Sequence, residues 1–120
     1  GAPGKITTLY RRDREMVIRV RDLLRAALPA SLSLEEVADQ LHLSPRTAHR
    51  RLEEEGSSFR AIKDALRRDM ALSRLTKTHD TIAQIAADLG YADTSAFYRA
   101  FVEWTGMAPV HYRRHWSSKT

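Results

Sequence analysis

The sequence predicts an all-α fold of about seven helices, in which a long connecting helix joins two helix-turn-helix subdomains. Three observations support this prediction: apolar residues recur at helical spacing, no stretch shows the alternation of a half-buried strand, and one helix-turn-helix pattern occurs twice. The chain has 120 residues, of which 42% are apolar and 29% are charged. This composition fits one small globular unit or two very small ones, and a large enclosed active site is not expected.

Charge and cysteine usage narrow the classes of function. Twenty Lys and Arg residues against fifteen Asp and Glu residues give a formal net charge of +5, which favours a polyanionic partner. Nucleic acid comes first and an anionic membrane surface second. The absence of cysteine excludes disulfides, cysteine-based zinc sites and thiol nucleophiles. No apolar run approaches the roughly 20 residues that span a bilayer, and we expect a cytoplasmic protein.

The chain divides by its pattern into five segments. Its start, GAPGKITT, lacks both an initiator Met and an apolar signal region, which is typical of an excised fragment whose neighbouring domain is missing. The segments are a leader or a tag or linker remnant (1–13), a first helix-turn-helix subdomain (14–57), a connecting helix (58–77), a second helix-turn-helix subdomain (78–116) and a tail (117–120).

The first two helices are predicted from apolar spacing and capping residues. One runs from about Arg14 to Leu28, where Pro29 ends it. The next begins at Ser33, which can form a capping box with Glu36. Their inward-facing residues are Met16 or Val17, Val20, Leu23, Leu24, Leu28, Leu34, Val37, Ala38 and Leu41.

A third helix and the connecting helix follow. Ser44 can cap the third helix, Pro45 is tolerated in its first turn, and Gly56 ends it. The connecting helix runs from about Ser58 to Lys77. Its apolar stripe changes sides in the second half, so we expect different bodies to bury its start and its end. The stripe contains Phe59, Ile62, Leu66 and Met70 at first, and then Ala65, Leu72 and Leu75.

An internal repeat relates the two subdomains. LEEVADQL at 34–41 aligns with IAQIAADL at 82–89, with the apolar residues and one small alanine in register. In both copies a short turn follows, and then a helix that a glycine closes, Gly56 or Gly106. The sequence therefore predicts a helix, a turn of three to four residues and a second helix, made twice.

The last helix of each copy has one apolar and one polar face. In the first copy Ala48 and Leu52 point inward, and in the second Phe97, Phe101 and Trp104 do so, which favours core packing over base stacking for the aromatic rings. The outward faces hold Arg46, His49, Arg50 and Glu53 in the first copy, and Ser95, Tyr98, Arg99 and Val102 in the second. These residue types can contact base edges, and arginine can bond guanine O6 and N7 together.

The stretch LSPRTAHRRLEEEG adds a charge gradient to the first of these helices. Arginines occupy its first half and glutamates its end, as expected if the N-terminal turns enter a major groove and the far end stays outside. The run EEE is by itself more typical of a solvated helix end. A connecting helix of about 19 residues spans roughly 28 Å, near the 34 Å or so between successive major-groove faces. Because RTAHR and SAFYR differ, a non-palindromic target is expected.

With these motifs the chain resembles the C-terminal DNA-binding domain of the AraC/XylS family of bacterial transcription regulators, from about Ser31 to Trp116. The first half, SLEEVADQLHLSPRTAHRRLEEEGSSF, is similar to members that carry a separate N-terminal effector or dimerisation domain. His42 departs from the pattern, since many relatives have a glycine there, like Gly90. The most specific matches are Ile82, Ile85, Ala86, Gly90, Tyr91, Asp93, Ser95, Phe97, Arg99, Phe101, Gly106, Pro109, Tyr112 and Arg113.

The resemblance implies a bilobal seven-helix domain whose third and sixth helices read DNA and often bend it, and which recruits RNA polymerase at a promoter as an activator does. Its base-facing positions fall on Arg46, His49, Arg50, Ser95, Ala96 and Arg99. Candidates for phosphate contacts are Ser44, Thr47, Thr94, Tyr98, Arg113 and Arg114. No cofactor, metal or catalytic residue is expected. The effector, the target promoter, and activation as against repression are not encoded in these motifs.

Other functions find weaker support. An enzyme is not indicated, because the chain lacks Walker, HExxH and GxSxG motifs. His111 and His115 lie one helical turn apart without a third metal ligand nearby. The first helix only partly fits a membrane-surface helix, so no membrane partner is expected. Arg99 could instead pair with Asp93. The main alternative is a helix-turn-helix protein interaction module that does not read DNA, although exposed arginines fit that role less well than apolar anchors would.

Overall fold

The computed structural model describes residues 14–116, and the predicted leader and tail lie outside them. The described residues form seven α-helices and no strand, which confirms the predicted all-α class. In chain order the helices are α1 (Glu15–Ala27), α2 (Leu34–Gln40), α3 (Pro45–Glu54), α4 (Phe59–Lys77), α5 (Ile82–Asp88), α6 (Thr94–Thr105) and α7 (Pro109–Trp116). Among the described helices, none combines the length and apolar character that crossing a membrane requires.

Two compact units divide the described residues. The first holds residues up to 64 except 28–30, and the second holds 28–30 together with residues from 65 onward. Helix α4 therefore contributes to both units, as its change of apolar face predicts. Leu28 differs from its prediction: spacing assigned it to the inward face of the first helix, but α1 ends at Ala27, and Leu28 packs against the core of the second unit.

In the first unit, the helix caps lie where the sequence predicts them, and the apolar faces of the helices are buried. Ser33 and Glu36 form the predicted capping box, since the Ser33 hydroxyl accepts from the Glu36 amide at 3.1 Å and the Glu36 carboxylate accepts from the Ser33 amide at 2.8 Å. The Ser44 hydroxyl accepts from the Thr47 amide at 3.1 Å and starts α3. The buried side chains of this unit are Met16, Val17, Val20, Leu24, Val37, Ala38, Ala48, Leu52 and Ile62.

Glu55 joins the end of α3 to the beginning of α1. Its two carboxylate oxygens accept hydrogen bonds from the backbone amides of Met16 at 2.9 Å and Val17 at 2.8 Å. The first amides of a helix have no partner within the helix, and a carboxylate also complements the positive end of the helix dipole. For Glu55, the interpretation of the EEE run as only a solvated helix end is therefore wrong.

An aromatic cluster forms the core of the second unit. Phe97 and Phe101 are fully buried with their ring centroids 5.8 Å apart, and Tyr112 meets Phe101 edge-on at 5.4 Å. Trp104 packs against the same core while partly buried. The predicted core role of these aromatic residues of α6 is confirmed. The remaining buried apolar residues of the cluster are Ala71, Leu75, Ile85, Ala86 and Leu89.

The repeat is visible in the turns that follow α2 and α5. Each helix has seven residues, and the residue after its C-cap has a left-handed backbone: His42 with φ 59° and Gly90 with φ 86°. The next amide then bonds back into the helix, from Leu43 to the Ala38 carbonyl at 2.9 Å and from Tyr91 to the Ala86 carbonyl at 3.0 Å. His42 thus takes the geometry that glycine has in the second copy.

Arg74 holds the end of α4 in the second unit. Its guanidinium donates to the carboxylates of Asp80 at 2.8 Å and Asp88 at 2.7 Å. These hydrogen bonds raise the pKa of Arg74 and are the main reason that the pKa values of Asp80 and Asp88 lie below their ordinary value. Both carboxyl groups are therefore more acidic in the folded chain than in the unfolded chain.

We expect acid to destabilise the chain through this cluster. Folding lowers the pKa values of Asp80 and Asp88, so these two groups stabilise the folded chain fully when the pH is above their ordinary pKa of 3.8. This stabilisation is lost as the pH falls through their pKa values in the folded chain. Denaturant unfolding from about pH 6 to about pH 2 measures this loss. The Arg74→Ala variant should be less stable at neutral pH and less sensitive to acid.

A matched variant tests whether Arg74 is the cause. Arg60 forms an exposed pair with Asp64 at 3.3 Å, and the Arg60 side chain is 85% exposed. The Arg60→Ala variant should therefore follow the acid profile of the unaltered chain. If Arg74→Ala keeps the same acid dependence as Arg60→Ala, the Arg74 cluster is not the source of acid sensitivity.

Candidate nucleic-acid interface

Helix α3 presents a polar face because its opposite face is buried. Ala48 and Leu52 are both 0% exposed, and this fixes the helix about its axis. Arg46, His49 and Arg50 consequently lie on the exposed side, as the helical spacing predicts. The structure thus brings the three predicted base-reading side chains of the first unit together on one face. Their contact with bases stays a prediction.

Two of these side chains are paired along α3. The Nε2 atom of His49 lies 3.3 Å from a carboxylate oxygen of Glu53, and the Nε atom of Arg50 lies 3.7 Å from one of Glu54. The four side chains are between 54% and 66% exposed, so both pairs face solvent. These partners were not predicted from the sequence, although the spacing of four residues is the signal that could have identified them.

Helix α6 is oriented in the same way in the second unit. Asp93 caps it by accepting from the Ala96 amide at 2.8 Å, and buried Phe97 and Phe101 face the core. The opposite side exposes Ser95 and Arg99. Within the described part of the chain no ion pair joins Arg99 to Asp93, so the structure gives no support to the alternative that Arg99 fixes the turn.

A shallow depression lies at the start of α6. Thr94, Ser95, Tyr98 and Arg99 line it, and its volume is about 320 Å³. Tyr98 is 47% exposed at the rim of this depression. Ala96 is half-buried, and its backbone amide is engaged with Asp93. The depression therefore combines hydroxyl groups, an aromatic ring and a guanidinium at one helix start.

The six predicted phosphate contacts lie at the starts of α3 and α6 or on α7. Thr94, Tyr98 and Arg114 are exposed. Ser44 and Thr47 are linked to each other, because the Ser44 hydroxyl donates to the Thr47 hydroxyl at 3.0 Å while capping α3. A hydroxyl that caps a helix still lies beside the free amides of the first turn, where anions bind.

Arg113, a predicted phosphate contact, donates to backbone carbonyls in the structure. Its Nε atom donates to the Leu75 carbonyl at 2.9 Å, and Nη2 lies 3.4 Å from the Arg74 carbonyl and 3.3 Å from the Thr78 carbonyl. A guanidinium engaged with the carbonyls at the end of α4 completes that helix terminus. This geometry favours a structural role for Arg113 over the predicted phosphate contact.

Comparison with known proteins finds several regulators of similar sequence. A model of the helix-turn-helix domain family matches residues 37–115. An uncharacterized helix-turn-helix-type transcriptional regulator of Mycobacterium tuberculosis is 43% identical over 79 residues, which cover 66% of this chain and 23% of the relative. The ornithine utilization regulator of Pseudomonas aeruginosa is 40% identical over 98 residues, which cover 82% of this chain and 29% of the relative.

Solved structures agree with this likeness. The C-terminal domain of AraT, a response regulator from Geobacillus stearothermophilus, matches with a TM-score of 0.78 and 31% identity, and the match covers 88% of each chain. The chain spans less than a third of the length of the two curated relatives that it matches. The likeness therefore concerns one domain of longer regulators.

Proposed function

The chain belongs to the AraC-type helix-turn-helix domains of bacterial transcription regulators, and from this premise we propose that it binds double-stranded DNA sequence-specifically through α3 and α6. One observation carries the proposal: each of these helices exposes an arginine, Arg50 or Arg99, at the same distance along the helix from its N-cap, Ser44 or Asp93. Each arginine stands on the side opposite a buried face. Two equivalent helices with guanidinium groups in equivalent positions suit two major-groove contacts.

Affinity and specificity arise from different groups in this proposal. Arginine side chains and the helix N-termini neutralise phosphates and release counterions, which supplies affinity that falls with salt. The proposed phosphate contacts are Ser44, Thr47, Thr94, Tyr98 and Arg114. Base edges are then read by Arg46, His49 and Arg50 from α3, and by Ser95, Ala96 and Arg99 from α6. Because the two sets differ, one chain reads an asymmetric site with two blocks in adjacent major grooves.

The proposed role in transcription involves other domains and partners. We propose that the chain is the DNA-binding domain of a longer cytoplasmic regulator with an N-terminal effector or dimerisation domain, and that it acts at a promoter together with RNA polymerase. The small share of the curated relatives that it spans supports a multi-domain context.

Selection from a pool of random DNA duplexes tests the proposal. We expect the retained duplexes at near-physiological salt to share an asymmetric motif with two blocks about one helical turn apart. Enrichment of a single block would restrict base reading to one helix. Absence of any enrichment, with binding that disappears as salt rises, would overturn the proposal in favour of a helix-turn-helix protein interaction module.

Substitution of the equivalent arginines tests which groups read bases. Arg50→Ala or Arg99→Ala should weaken binding to the selected duplex by about 1 to 3 kcal/mol and relax the preference at one base pair each. Binding titrations with the selected duplex, its single-base variants and a random duplex measure both effects. Arg19→Ala removes the same charge from an exposed position on α1 and should leave the base preferences unchanged. Equal losses on selected and random DNA would make the substituted arginine a phosphate contact.

A further inference from the structure

The two equivalent arginines differ in one respect. Arg50 has Glu54 four residues later, and Arg99 has Glu103 four residues later, so the sequence places a carboxylate at the same point of both helices. In the structure the Arg50 Nε atom lies 3.7 Å from the Glu54 carboxylate. Within the described part of the chain no ion pair joins Arg99 to Glu103. Of these two arginines, only Arg50 therefore has a carboxylate of its own helix beside it.

The side of the Arg50 guanidinium that Glu54 approaches determines which of its nitrogens stay available for a base contact. The closest contact is made by Nε, the nitrogen nearest to the aliphatic chain. In a guanidinium the edge between the two terminal nitrogens, Nη1 and Nη2, is the one farthest from the aliphatic chain. That edge carries the parallel N–H groups that can bond guanine O6 and N7 together. At 3.7 Å the Glu54 carboxylate is an ion-pair neighbour of Nε and not a hydrogen-bond acceptor. Its charge therefore favours one set of Arg50 rotamers, from the side of the guanidinium away from the Nη1–Nη2 edge.

A limit on the rotamers of Arg50 favours binding to a specific DNA site more than binding to random DNA. A long side chain loses rotamer freedom when it is immobilised at an interface, and a side chain that is already restrained loses less. The Arg50 and Glu54 side chains are 62% and 66% exposed, so their pair is weak in the free protein. When DNA covers Arg50, water is displaced from one side of the pair and the attraction becomes stronger, while Glu54 itself stays at the rim of the groove. At random DNA the Glu54 carboxylate mainly repels phosphate.

We propose that Glu54 is a positioning residue that aims Arg50 at a guanine and so sets the specificity of α3. This inference rests on the proposed DNA-binding function and deepens it. Glu54 contributes on selected DNA by holding the guanidinium through Nε, and it opposes binding on random DNA through its charge. Arg99 on α6 reads its base without such a partner, which makes Glu103 a matched control at the same helical position.

Binding titrations of three variants and their combinations test the inference. Glu54→Gln should weaken binding to the selected duplex about three- to tenfold, the cost of ordering one released side chain. It should strengthen binding to a random duplex about twofold, because one negative charge is lost. Glu103→Gln should strengthen random binding similarly without weakening selected binding. In the Arg50→Ala background, Glu54→Gln should no longer weaken selected binding, since its partner is absent.

The outcomes separate this inference from the proposed function. If the unaltered chain does not distinguish selected from random duplexes, the proposed function fails. If it does distinguish them, but Glu54→Gln behaves like Glu103→Gln on both duplexes, the inference is overturned while the proposed function stands. A loss on selected DNA that persists in the Arg50→Ala background would also overturn it, because Glu54 would then act without Arg50. Circular dichroism at the titration temperature checks that each variant is folded.

Discussion

Replacement of Gly90 by alanine is expected to lower the free energy of unfolding by about 2 to 5 kcal/mol. Gly90 has φ +86°, and a left-handed backbone costs an L residue about 1 to 2 kcal/mol. A Cβ atom at this position would also lie 2.6 Å from the backbone carbonyl oxygen of Pro29, so the backbone itself must move. Overpacking of this kind adds about 1 to 3 kcal/mol. Denaturant unfolding of the purified variant measures the loss.

Gly56 provides the matched control for Gly90. It has a similar backbone, with φ +79°, but among the described residues no heavy atom outside Gly56 and its two chain neighbours lies within 4 Å of the position of its Cβ. The Gly56→Ala variant should therefore show only the conformational cost of the left-handed backbone, about 1 to 2 kcal/mol. Equal losses for the two variants would mean that the contact with Pro29 does not contribute, and that the left-handed backbone alone explains the glycine.

The same pair of turns indicates what the sequence could predict. The internal repeat predicted a sharp turn after both short helices, and the structure has one at His42 and one at Gly90. The difference between the two residues was not predictable locally. It arises because the Pro29 carbonyl, far away in the sequence, lies against Gly90. Local spacing encodes the backbone of a turn, whereas the space left for a side chain depends on which distant segment packs there.

In the candidate interface, too, local spacing predicted some features, and others depend on distant packing. Helical spacing was sufficient to predict that Arg46, Arg50 and Arg99 are exposed, because a buried face on one side of a helix fixes the other side. The partner of a long polar side chain was less predictable. Arg113 reaches the carbonyls at the end of α4, a destination set by tertiary packing. Base contact adds a further requirement, since it depends on the DNA as well as on the chain.

Glu55 is the other position where a substitution should have a large effect on stability. We expect Glu55→Gln to lower the free energy of unfolding by about 2 to 3 kcal/mol, since hydrogen bonds to a charged acceptor contribute about 1.5 to 3 kcal/mol. The carboxylate accepts from the amides of Met16 and Val17, at 2.9 Å and 2.8 Å. Glutamine has one carbonyl oxygen, so one of these amides loses its acceptor, and the favourable charge at the start of α1 is lost.

The neighbouring glutamates separate this effect from a simple change of charge. Glu53→Gln and Glu54→Gln remove the same charge, but their pairs with His49 and Arg50 are exposed and contribute about 0.5 kcal/mol or less. Thermal unfolding compares the three variants, and hydrogen exchange should show the amides at the start of α1 opening first in Glu55→Gln. Similar stabilities for all three would contradict the assigned role of Glu55.

DNA binding should respond differently to the loss of Glu55 and to the loss of Glu54. Glu55 follows directly after α3 and ties its end to α1, so its loss loosens the support of α3. We expect Glu55→Gln to reduce binding to selected and random duplexes alike, because every contact from α3 depends on that support. Glu54→Gln should instead leave stability nearly unchanged and reduce selected binding alone. Adjacent residues of one acidic run would then serve two functions, Glu55 in holding the helix and Glu54 in aiming one of its side chains.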